Sequence, residues 1–457
     1  MKIKINDKLL YIIFENNAEE KLITKFTEYK DTSSAFAGGR YNPMFVTNKK
    51  LGKIIKGIFV SYAGLAKEII CYCKDMDIKI TEYKDERTHY DFQKEEFDLK
   101  SFFDPKHKYV EHQTRALTAM LQTNTGIIKA TTSAGKSSII SAYIRATNMP
   151  TLILVNKVTL AQQLQNSFIK DGIDCGICTG QGIKSGTCMV STIQSVKKVP
   201  NLLDYKCLIV DEIHQGSSTS FQEFFGSVSY PYKFGFSATP EGSNDYKFAL
   251  VRQFFGSIIE EIGAEELMKN EVIAIPDINF IPVECPQTMD WQSAYEQAIV
   301  FNKDRNKKII ELAEKARKEE KQILIIIKSI EHGEILKQQI PDAVFVNGRD
   351  TPPDERMKVI EKFEKGEIKT IICSSIFNEG ISIVNIHMLI IASGMKGYTE
   401  SSQKLGRALR IGDDKKTALV YDFLDKGNRF TEKHSKRRAS IYKKAGFKVS
   451  ISELPPP

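Results

Sequence analysis

The stretch ATTSAGKSS, residues 130–138, lies between two segments of different character. The β-branched run before it, GIIK, predicts a strand, and the apolar, helix-length stretch after it predicts a helix. A loop of small residues between a strand and a helix allows successive backbone N–H groups to converge on one anion. The segment therefore predicts a phosphate-binding loop, and the other motifs of the chain indicate how the phosphate is used.

The loop follows the nucleotide-binding pattern G-x-x-x-x-G-K-[ST], with Ala130 in place of the first glycine. In this pattern the lysine, here Lys136, reaches the β- and γ-phosphates, and the hydroxyl of Ser137 binds Mg²⁺. A Gly-Ser turn without a ligand is the alternative for this segment alone. The residues predicted to line the phosphates are Thr132, Ser133, Ala134, Gly135, Lys136, Ser137 and Ser138.

An acidic element follows in the run CLIVDEIH. Its apolar part predicts a buried strand, which ends in Asp211 and Glu212. In nucleoside triphosphate hydrolysis one acid holds Mg²⁺ and another orients the attacking water, and we predict these roles for Asp211 and Glu212 respectively. Two acids at a strand end are also typical of a helix N-terminus. The order of the phosphate loop and this strand favours the nucleotide site over that alternative.

Two further motifs carry polar residues that suit the same site. FGFSATP places Ser237 and Thr239 at a predicted strand end, and QKLGRALR contains Gln403, Arg407 and Arg410. Arg407 and Arg410 are three residues apart on a predicted helix, so both side chains can point into one cleft. We predict that the two arginines stabilise the charge on a γ-phosphate, with Gln403 in the same catalytic set. The alternative for this segment in isolation is a solvated helix.

Short apolar runs alternate with helix-like segments along most of the chain. They include GIIKA, TLILVN and CLIVDE in a first series, and QILIIIKS, IKTIICSS and TALVYDFLD in a second. Strands that alternate with helices form parallel sheets, with functional residues at the carboxyl ends of the strands. The predicted fold class is therefore α/β, with two tandem parallel-sheet domains and a small N-terminal α/β domain. The predicted boundaries are 1–104 for the N-terminal domain, 105–265 and 266–425 for the parallel-sheet domains, and 426–457 for a basic C-terminal tail.

The composition is that of a globular protein, since 42% of the 457 residues are hydrophobic and 27% are charged. The sequence has no apolar run of about 18 residues, the length that spans a membrane, and its N-terminus lacks the layout of a cleavable signal. The eight cysteines are spread thinly, which is typical of reduced thiols, and Cys175, Cys178 and Cys188 lack a fourth ligand for zinc. We therefore predict a protein of the cytoplasm, the host cytoplasm if the protein is viral.

Positive charge is concentrated in two segments. Residues 426–448 contain nine Lys and Arg against one Glu, and residues 30–56 contain six against one Asp. Basic residues interleaved with aromatic ones suit a phosphate backbone with exposed bases, and a solvated basic surface is the alternative. The residues predicted here to bind DNA are Arg40, Lys49, Lys50, Lys53, Lys436, Arg437 and Arg438.

Together the motifs ATTSAGKS, DEIH, SAT and QxxGRxxR, in this order, resemble the helicases of superfamily two. The resemblance covers roughly residues 105–425 and implies two RecA-like domains, with ATP and Mg²⁺ as cofactors. By analogy, Gln113 contacts adenine, and Glu379 and Gly380 of the motif-V-like run ICSSIFNEGISI link the strand to the nucleotide. Many relatives have Asp where this chain has Ser382, so the chain departs from the family pattern at the residue that contacts ribose. The residues implied to grip DNA are Lys157, Thr192, Gln194, Ser374 and Ser375.

Within that superfamily the chain is similar to the phage UvsW-type helicases, which remodel branched DNA, and AGGRYNPMF (residues 37–45) carries this narrower match. The resemblance implies a monomer that steps 3′ to 5′ and acts on forks, Holliday junctions, displacement loops and RNA–DNA hybrids. One alternative is a duplex translocase or RNA helicase that separates no DNA strands. The other is a non-catalytic protein that binds branched DNA, against which Lys136, Asp211, Glu212 and Arg410 argue because loss of any one would mark decay.

Overall fold

The computed structural model describes residues 1–34, 43–90, 98–104, 110–131, 133–241, 244–273, 275–374, 386–395, 417–444 and 446–451. The chain divides into two compact units, Met1–Ile262 and Gly263–Pro457. Within the described ranges no helix is both long enough and apolar enough to cross a membrane.

The first unit begins with a small α/β layer. Its five-stranded sheet has the order β5-β6-β2-β1-β7, and two helices pack on one face. The alternation in β1 and β2 explains this arrangement, because Ile3, Ile5, Leu10 and Ile12 point into the core while the intervening residues face outward. The elements are β1 Lys2–Ile5, β2 Leu9–Ile13, α1 Asn17–Phe26, β3 Glu28–Asp31, β4 Thr47–Lys50, β5 Gly52–Ile55, β6 Ile58–Tyr62, α2 Ala66–Asp75 and β7 Glu82–Asp85.

The larger part of the first unit is an eight-stranded sheet with the order β11-β10-β12-β9-β13-β14-β8-β15. Its strands are parallel except for the β10–β11 pair. The elements are α3 Glu111–Leu121, β8 Thr125–Ala130, α4 Lys136–Thr147, β9 Thr151–Val155, α5 Val158–Lys170, β10 Cys175–Thr179, β11 Gly182–Lys184, β12 Cys188–Thr192, β13 Cys207–Asp211, α6 Thr219–Ser227, β14 Tyr232–Ser237, α7 Asp245–Phe255 and β15 Ile258–Ile262.

The second unit is built on a seven-stranded parallel sheet with the order β18-β19-β17-β20-β21-β16-β22. The elements are α8 Ala264–Lys269, β16 Ile275–Glu284, α9 Trp291–Tyr295, α10 Lys303–Lys318, β17 Ile323–Ile326, α11 Ile330–Gln339, β18 Val344–Val346, α12 Pro353–Glu364, β19 Thr370–Cys373, β20 Met388–Ile391, β21 Thr417–Lys426, α13 Arg429–Lys444 and β22 Lys448–Ile451. The segment predicted as a basic tail thus contains a helix, α13, and a strand, β22, that pairs with β16.

The predicted fold class is confirmed: two parallel-sheet domains follow a small N-terminal α/β domain. The apolar runs that predicted strands, such as CLIVD and ILII, are fully buried central strands. Strands covered by helices on both faces read as continuous apolar runs, which is why they were visible in the sequence. The domain boundaries stay predictions.

Helix α7 joins the small layer to the large sheet, because it contributes to two hydrophobic cores. Ala249 packs in the core of the N-terminal layer, whereas Val251 and Phe255 pack in the core of the large sheet. Arg252 also reaches the N-terminal layer, where it donates a hydrogen bond to Glu68 at 2.8 Å. The N-terminal layer is therefore fixed to the parallel-sheet domain that carries the phosphate loop.

Lys233, near the start of β14, is buried where this strand meets the N-terminal layer. Its ammonium donates a hydrogen bond to the carbonyl oxygen of Asp7 at 2.5 Å. Burial lowers the pKa of Lys233 to about 8, because attraction to Asp7 only partly opposes the loss of water, and Arg87 and Lys8 repel the ammonium. The buried charge of Lys233 therefore lowers the stability of the contact between β14 and the N-terminal layer at neutral pH.

We expect Lys233→Met to stabilise the first unit by roughly 1–3 kcal/mol at pH 7, since one pKa unit is worth about 1.4 kcal/mol. The unfolded chain keeps this proton up to a higher pH than the folded chain, so wild-type stability should rise with pH above about 8. Urea unfolding between pH 7 and 10 measures both effects. The gain in the free energy of unfolding of Lys233→Met over wild type should shrink as pH rises. A gain that is independent of pH, or one that the exposed control Lys170→Met shares, would refute the lowered pKa of Lys233.

Candidate nucleotide site and nucleic-acid interface

The phosphate loop lies between β8 and α4, and its backbone turns through left-handed conformations. Ser133 has φ 72° and Gly135 has φ 77°. This φ favours glycine, and a side chain at residue 135 would also displace the side-chain amide of Gln113. Such turns direct successive N–H groups to one side, which is the geometry of an anion-binding loop at a helix N-terminus.

Helix α3 holds this loop from behind. His112 Nε2 lies 3.2 Å from the carbonyl oxygen of Ala134, and Gln113 Nε2 donates to the same oxygen at 3.4 Å. Both side chains are buried. The adenine contact predicted for Gln113 stays a prediction, and His112 is a loop contact that the sequence analysis missed although it is the neighbour of Gln113.

Lys136 contacts both carboxylates of the DEIH run. Its Nζ lies 2.9 Å from Glu212 Oε1 and 3.5 Å from Asp211 Oδ1. Burial alone would lower the pKa of Lys136, but the two carboxylates raise it above its usual range. Burial raises the pKa of Asp211, whereas Lys136 holds the pKa of Glu212 below its usual range in spite of burial. The lysine is thus held in its charged form next to the residues predicted for metal binding and water activation.

Neighbouring strand ends explain why these side chains meet. β8, β14 and β13 are adjacent and parallel, so the phosphate loop, Ser237 and Asp211 lie at one edge of the sheet. His214 Nδ1 lies 3.1 Å from Ser237 Oγ and 3.2 Å from Glu212 Oε2. The Oγ of Ser237 also accepts a hydrogen bond from the backbone N–H of Thr239 at 3.2 Å. His214 therefore connects DEIH to SATP, a role that its place inside the quoted motif could have suggested.

The side chains at the carboxyl ends of β8, β14 and β13 fit Mg²⁺ and a nucleoside triphosphate. Ser137 and Asp211 offer a hydroxyl and a carboxylate, the oxygen ligands that Mg²⁺ prefers. The left-handed conformations of Ser133 and Gly135 turn the backbone N–H groups of the loop to one side, as the binding of phosphate oxygens requires.

Several predicted site residues lie outside the described residues. For the nucleotide site these are Thr132, Glu379, Gly380, Gln403, Arg407 and Arg410, and for DNA they are Arg40 and Ser375. Their roles stay predictions.

The residues of the first unit that were implied by analogy to contact DNA follow the carboxyl ends of β9 and β12. These strands lie in the half of the sheet opposite to β8, which leads into the phosphate loop. Lys157 precedes α5 and is partly exposed, and Gln194 is exposed. Thr192 is buried, as is Ser374 in the second unit, whose backbone N–H donates to Val346 O at 3.3 Å. The DNA contacts of all four residues stay predictions, and only Lys157 and Gln194 have side chains that reach solvent.

The prediction that Arg438 binds DNA is wrong, because this side chain is only 1% exposed. Its Nε and Nη2 donate to the two carboxylate oxygens of Asp422, each at 2.8 Å, and its Nη1 donates to Met395 O at 2.9 Å. The phase of α13 explains the error, since this face of the helix packs against β21. The cationic residues of α13 that do face solvent are Arg429, Lys433, Lys436, Arg437, Lys443 and Lys444, and we call them the α13 stripe.

Two family models match the chain in the order that the fold suggests. The model of the type III restriction enzyme res subunit matches residues 106–242, and that of the helicase conserved C-terminal domain matches residues 304–412. The ATP-dependent DNA helicase uvsW of Enterobacteria phage T4 is 26% identical over 447 residues, which cover 88% of this chain and 87% of the relative. The chain is a superfamily two helicase, and it is similar to the UvsW type.

Other similar proteins agree with this family. The DNA 3'-5' translocase XPB2 of Sulfurisphaera tokodaii is 25% identical over 361 residues, which cover 69% of this chain and 81% of the relative. A structure of Dbp5 of S. cerevisiae bound to RNA and ADP BeF3 has a TM-score of 0.56 at 15% identity, and the match covers 76% of this chain and 89% of that one. This structure shows the shared fold. As a superfamily two helicase, the protein hydrolyses ATP and binds DNA.

Proposed function

We propose that this helicase unwinds and branch-migrates branched DNA, moving 3′ to 5′ along one strand. The observation that carries the proposal is the fixed attachment of a lysine-rich N-terminal layer to the domain with the phosphate loop, through α7. A motor domain that carries its own duplex-binding surface converts stepping along a strand into displacement of the duplex ahead. Polarity is supported by the XPB2 relative, whose name describes a 3'-5' translocase.

The residues at the sheet edge divide the work of hydrolysis. ATP with Mg²⁺ supplies the phosphoryl group whose transfer to water releases the free energy for stepping. Lys136 and the loop N–H groups would bind and orient the phosphates, and Ser137 and Asp211 would hold Mg²⁺. Glu212 would orient and polarise the attacking water through its charged carboxylate. The charge-stabilising role of Arg407 and Arg410, with Gln403 in the same set, stays the prediction made from the sequence motif.

The contact between His214 and Ser237 supports a link from hydrolysis to DNA. A displacement of Glu212 would move His214, which contacts it. His214 would in turn move Ser237 and the segment that leads into α7. Because α7 packs against the N-terminal layer, a movement of α7 would also move that layer. DNA held by Lys157 and Gln194 on one side, and by the N-terminal lysines on the other, would therefore respond to the state of the nucleotide.

A duplex translocase is the second candidate, favoured by the name of the XPB2 relative. An RNA helicase would carry the same motor motifs. These alternatives differ from the first in the substrate and in whether strands separate, and not in the chemistry at Lys136 and Glu212.

The test compares ATP hydrolysis and strand release on labelled single strands, blunt duplex, a fork and a four-way junction, with matched RNA substrates. We expect the fork and junction to stimulate hydrolysis most and to release strands. A fork with only a 3′ or only a 5′ single-stranded arm reports polarity. Hydrolysis without release on any DNA would replace the proposal by a translocase, and stimulation by RNA alone would replace it by an RNA helicase.

A further inference from the structure

Two large apolar side chains project from the N-terminal layer into solvent. The turn Pro43–Phe45 exposes 88% of Met44 and 53% of Phe45. The phenylalanines Phe14 and Phe59 of the same layer instead pack in its core. Adjacent exposed apolar side chains on one turn form a small apolar patch that a partner can cover.

Lysines follow the turn directly. The chain runs from Phe45 into β4, which carries Lys49 and Lys50, and then to Lys53 and Lys56, all four of which are exposed. Among the described residues none of these four lysines forms a direct ion pair. Asp31 of β3 attracts Lys49, and Lys53 and Lys56 lie beyond β4, where an anionic partner can reach them. The lysines begin two residues into β4, which starts at Thr47 just after the turn, so the apolar and the cationic side chains belong to one continuous stretch of chain.

The ribbon formed by β3 and β4, which carries this turn, is fastened to the motor domain. Asn244 Nδ2 donates to Asp31 Oδ1 at 3.4 Å and to Ser33 Oγ at 3.3 Å. Arg252 Nη2 donates to Tyr29 Oη at 3.4 Å. Asn244 caps α7 a few residues beyond Thr239, so the ribbon is attached where the SATP segment enters the helix. A turn that opens base pairs needs such an anchor, since it must resist the force of stepping.

We propose that Phe45, supported by Met44, is the strand-separating element of this helicase. Phe45 packs on the base pair at the branch point, and Lys49, Lys50, Lys53 and Lys56 hold the phosphates of the strand beside it. Apolar side chains that enter between base steps unstack them, and an aromatic ring stacks on any base, so the element needs no particular sequence. The inference rests on the proposed function and names the residue that separates the two DNA strands.

The experiment uses the full chain and a fork with 2-aminopurine at its first base pair. Wild type, added without ATP, should raise the fluorescence of 2-aminopurine, and Phe45→Ala should lose most of that rise. With ATP, the number of strands released per ATP hydrolysed should be about tenfold lower for Phe45→Ala than for wild type. Phe45→Trp should restore both signals. Met76→Ala, which removes a similarly exposed apolar side chain at the end of α2, should behave as wild type.

The outcomes separate this inference from the proposed function. If wild type releases strands and Phe45→Ala does so with the same yield per ATP, the inference is overturned while the proposed function stands. If wild type hydrolyses ATP but releases no strand, the proposed function fails, and the fluorescence without ATP still decides whether Phe45 contacts the branch point. A Phe45→Ala protein that changes its oligomeric state, with unchanged fluorescence, would assign the turn to a contact between protein chains and also overturn the inference.

Discussion

Lys136→Ala is expected to abolish ATP hydrolysis, with a fall in kcat on the order of 10²–10³ or more. Lys136 supplies the positive charge that faces the phosphates, and its removal also leaves Asp211 and Glu212 side by side without a cation. Their mutual repulsion should then raise the pKa of at least one carboxyl and disfavour the charged pair that the metal and the water need. DNA binding should be largely retained, because the exposed lysines of the N-terminal layer lie apart from the phosphate loop.

The measurement is DNA-stimulated ATP hydrolysis, with fork binding followed in parallel by fluorescence anisotropy. Lys170→Ala, an exposed lysine at the end of α5 in the same domain, is the matched control and should hydrolyse ATP as wild type does. Hydrolysis by Lys136→Ala at the rate of the control would overturn the assignment of the nucleotide site. Loss of both hydrolysis and DNA binding would show that the two sites are not separate.

Arg438→Met is expected to lower the free energy of unfolding of the second unit by about 3–5 kcal/mol, the usual cost of removing one partner from a buried ion pair. Asp422 would be left buried without its two charged hydrogen bonds, and Met395 O would lose its donor. The adjacent residue supplies the control, since Arg437 belongs to the exposed α13 stripe. Arg437→Met should change stability by less than about 0.5 kcal/mol.

Urea unfolding of both variants, together with DNA binding at several salt concentrations, tests this contrast. Arg437→Met should weaken binding and reduce its dependence on salt by roughly one phosphate contact, whereas Arg438→Met should act through stability. Equal unfolding midpoints for the two variants would refute the buried pair. An unchanged salt dependence in Arg437→Met would leave the α13 stripe as a solvated surface.

The contrast between Arg437 and Arg438 shows what the sequence could and could not predict. A run of basic residues reveals its charge, but which of them face solvent depends on the phase of α13 and on Asp422, which lies 16 residues earlier. The strands β16 and β22 were also missed. β16 contains Pro276 and Pro282, and β22 is a four-residue strand that is not buried, so neither is a continuous apolar run.

The nucleotide site was more predictable because each part is a short local motif at a strand end. GIIKA followed by the loop, CLIVD followed by Glu212, and GFS followed by Ala238 each combine a buried strand with polar residues. Parallel neighbours bring such ends together without further information. What the motifs could not give was the packing behind the loop, where His112 and Gln113 hold Ala134.

The sharing of α7 between two cores also limits how this protein can be taken apart or recombined. The N-terminal layer owes part of its interior to Ala249, a residue well over a hundred positions further along the chain. An isolated N-terminal fragment would expose the surface that Ala249 covers, and a graft of this layer onto another motor would need a helix of matching shape at the same place. The layer is therefore not a detachable module, and a chimaera between relatives should exchange residues 1–262 as one piece.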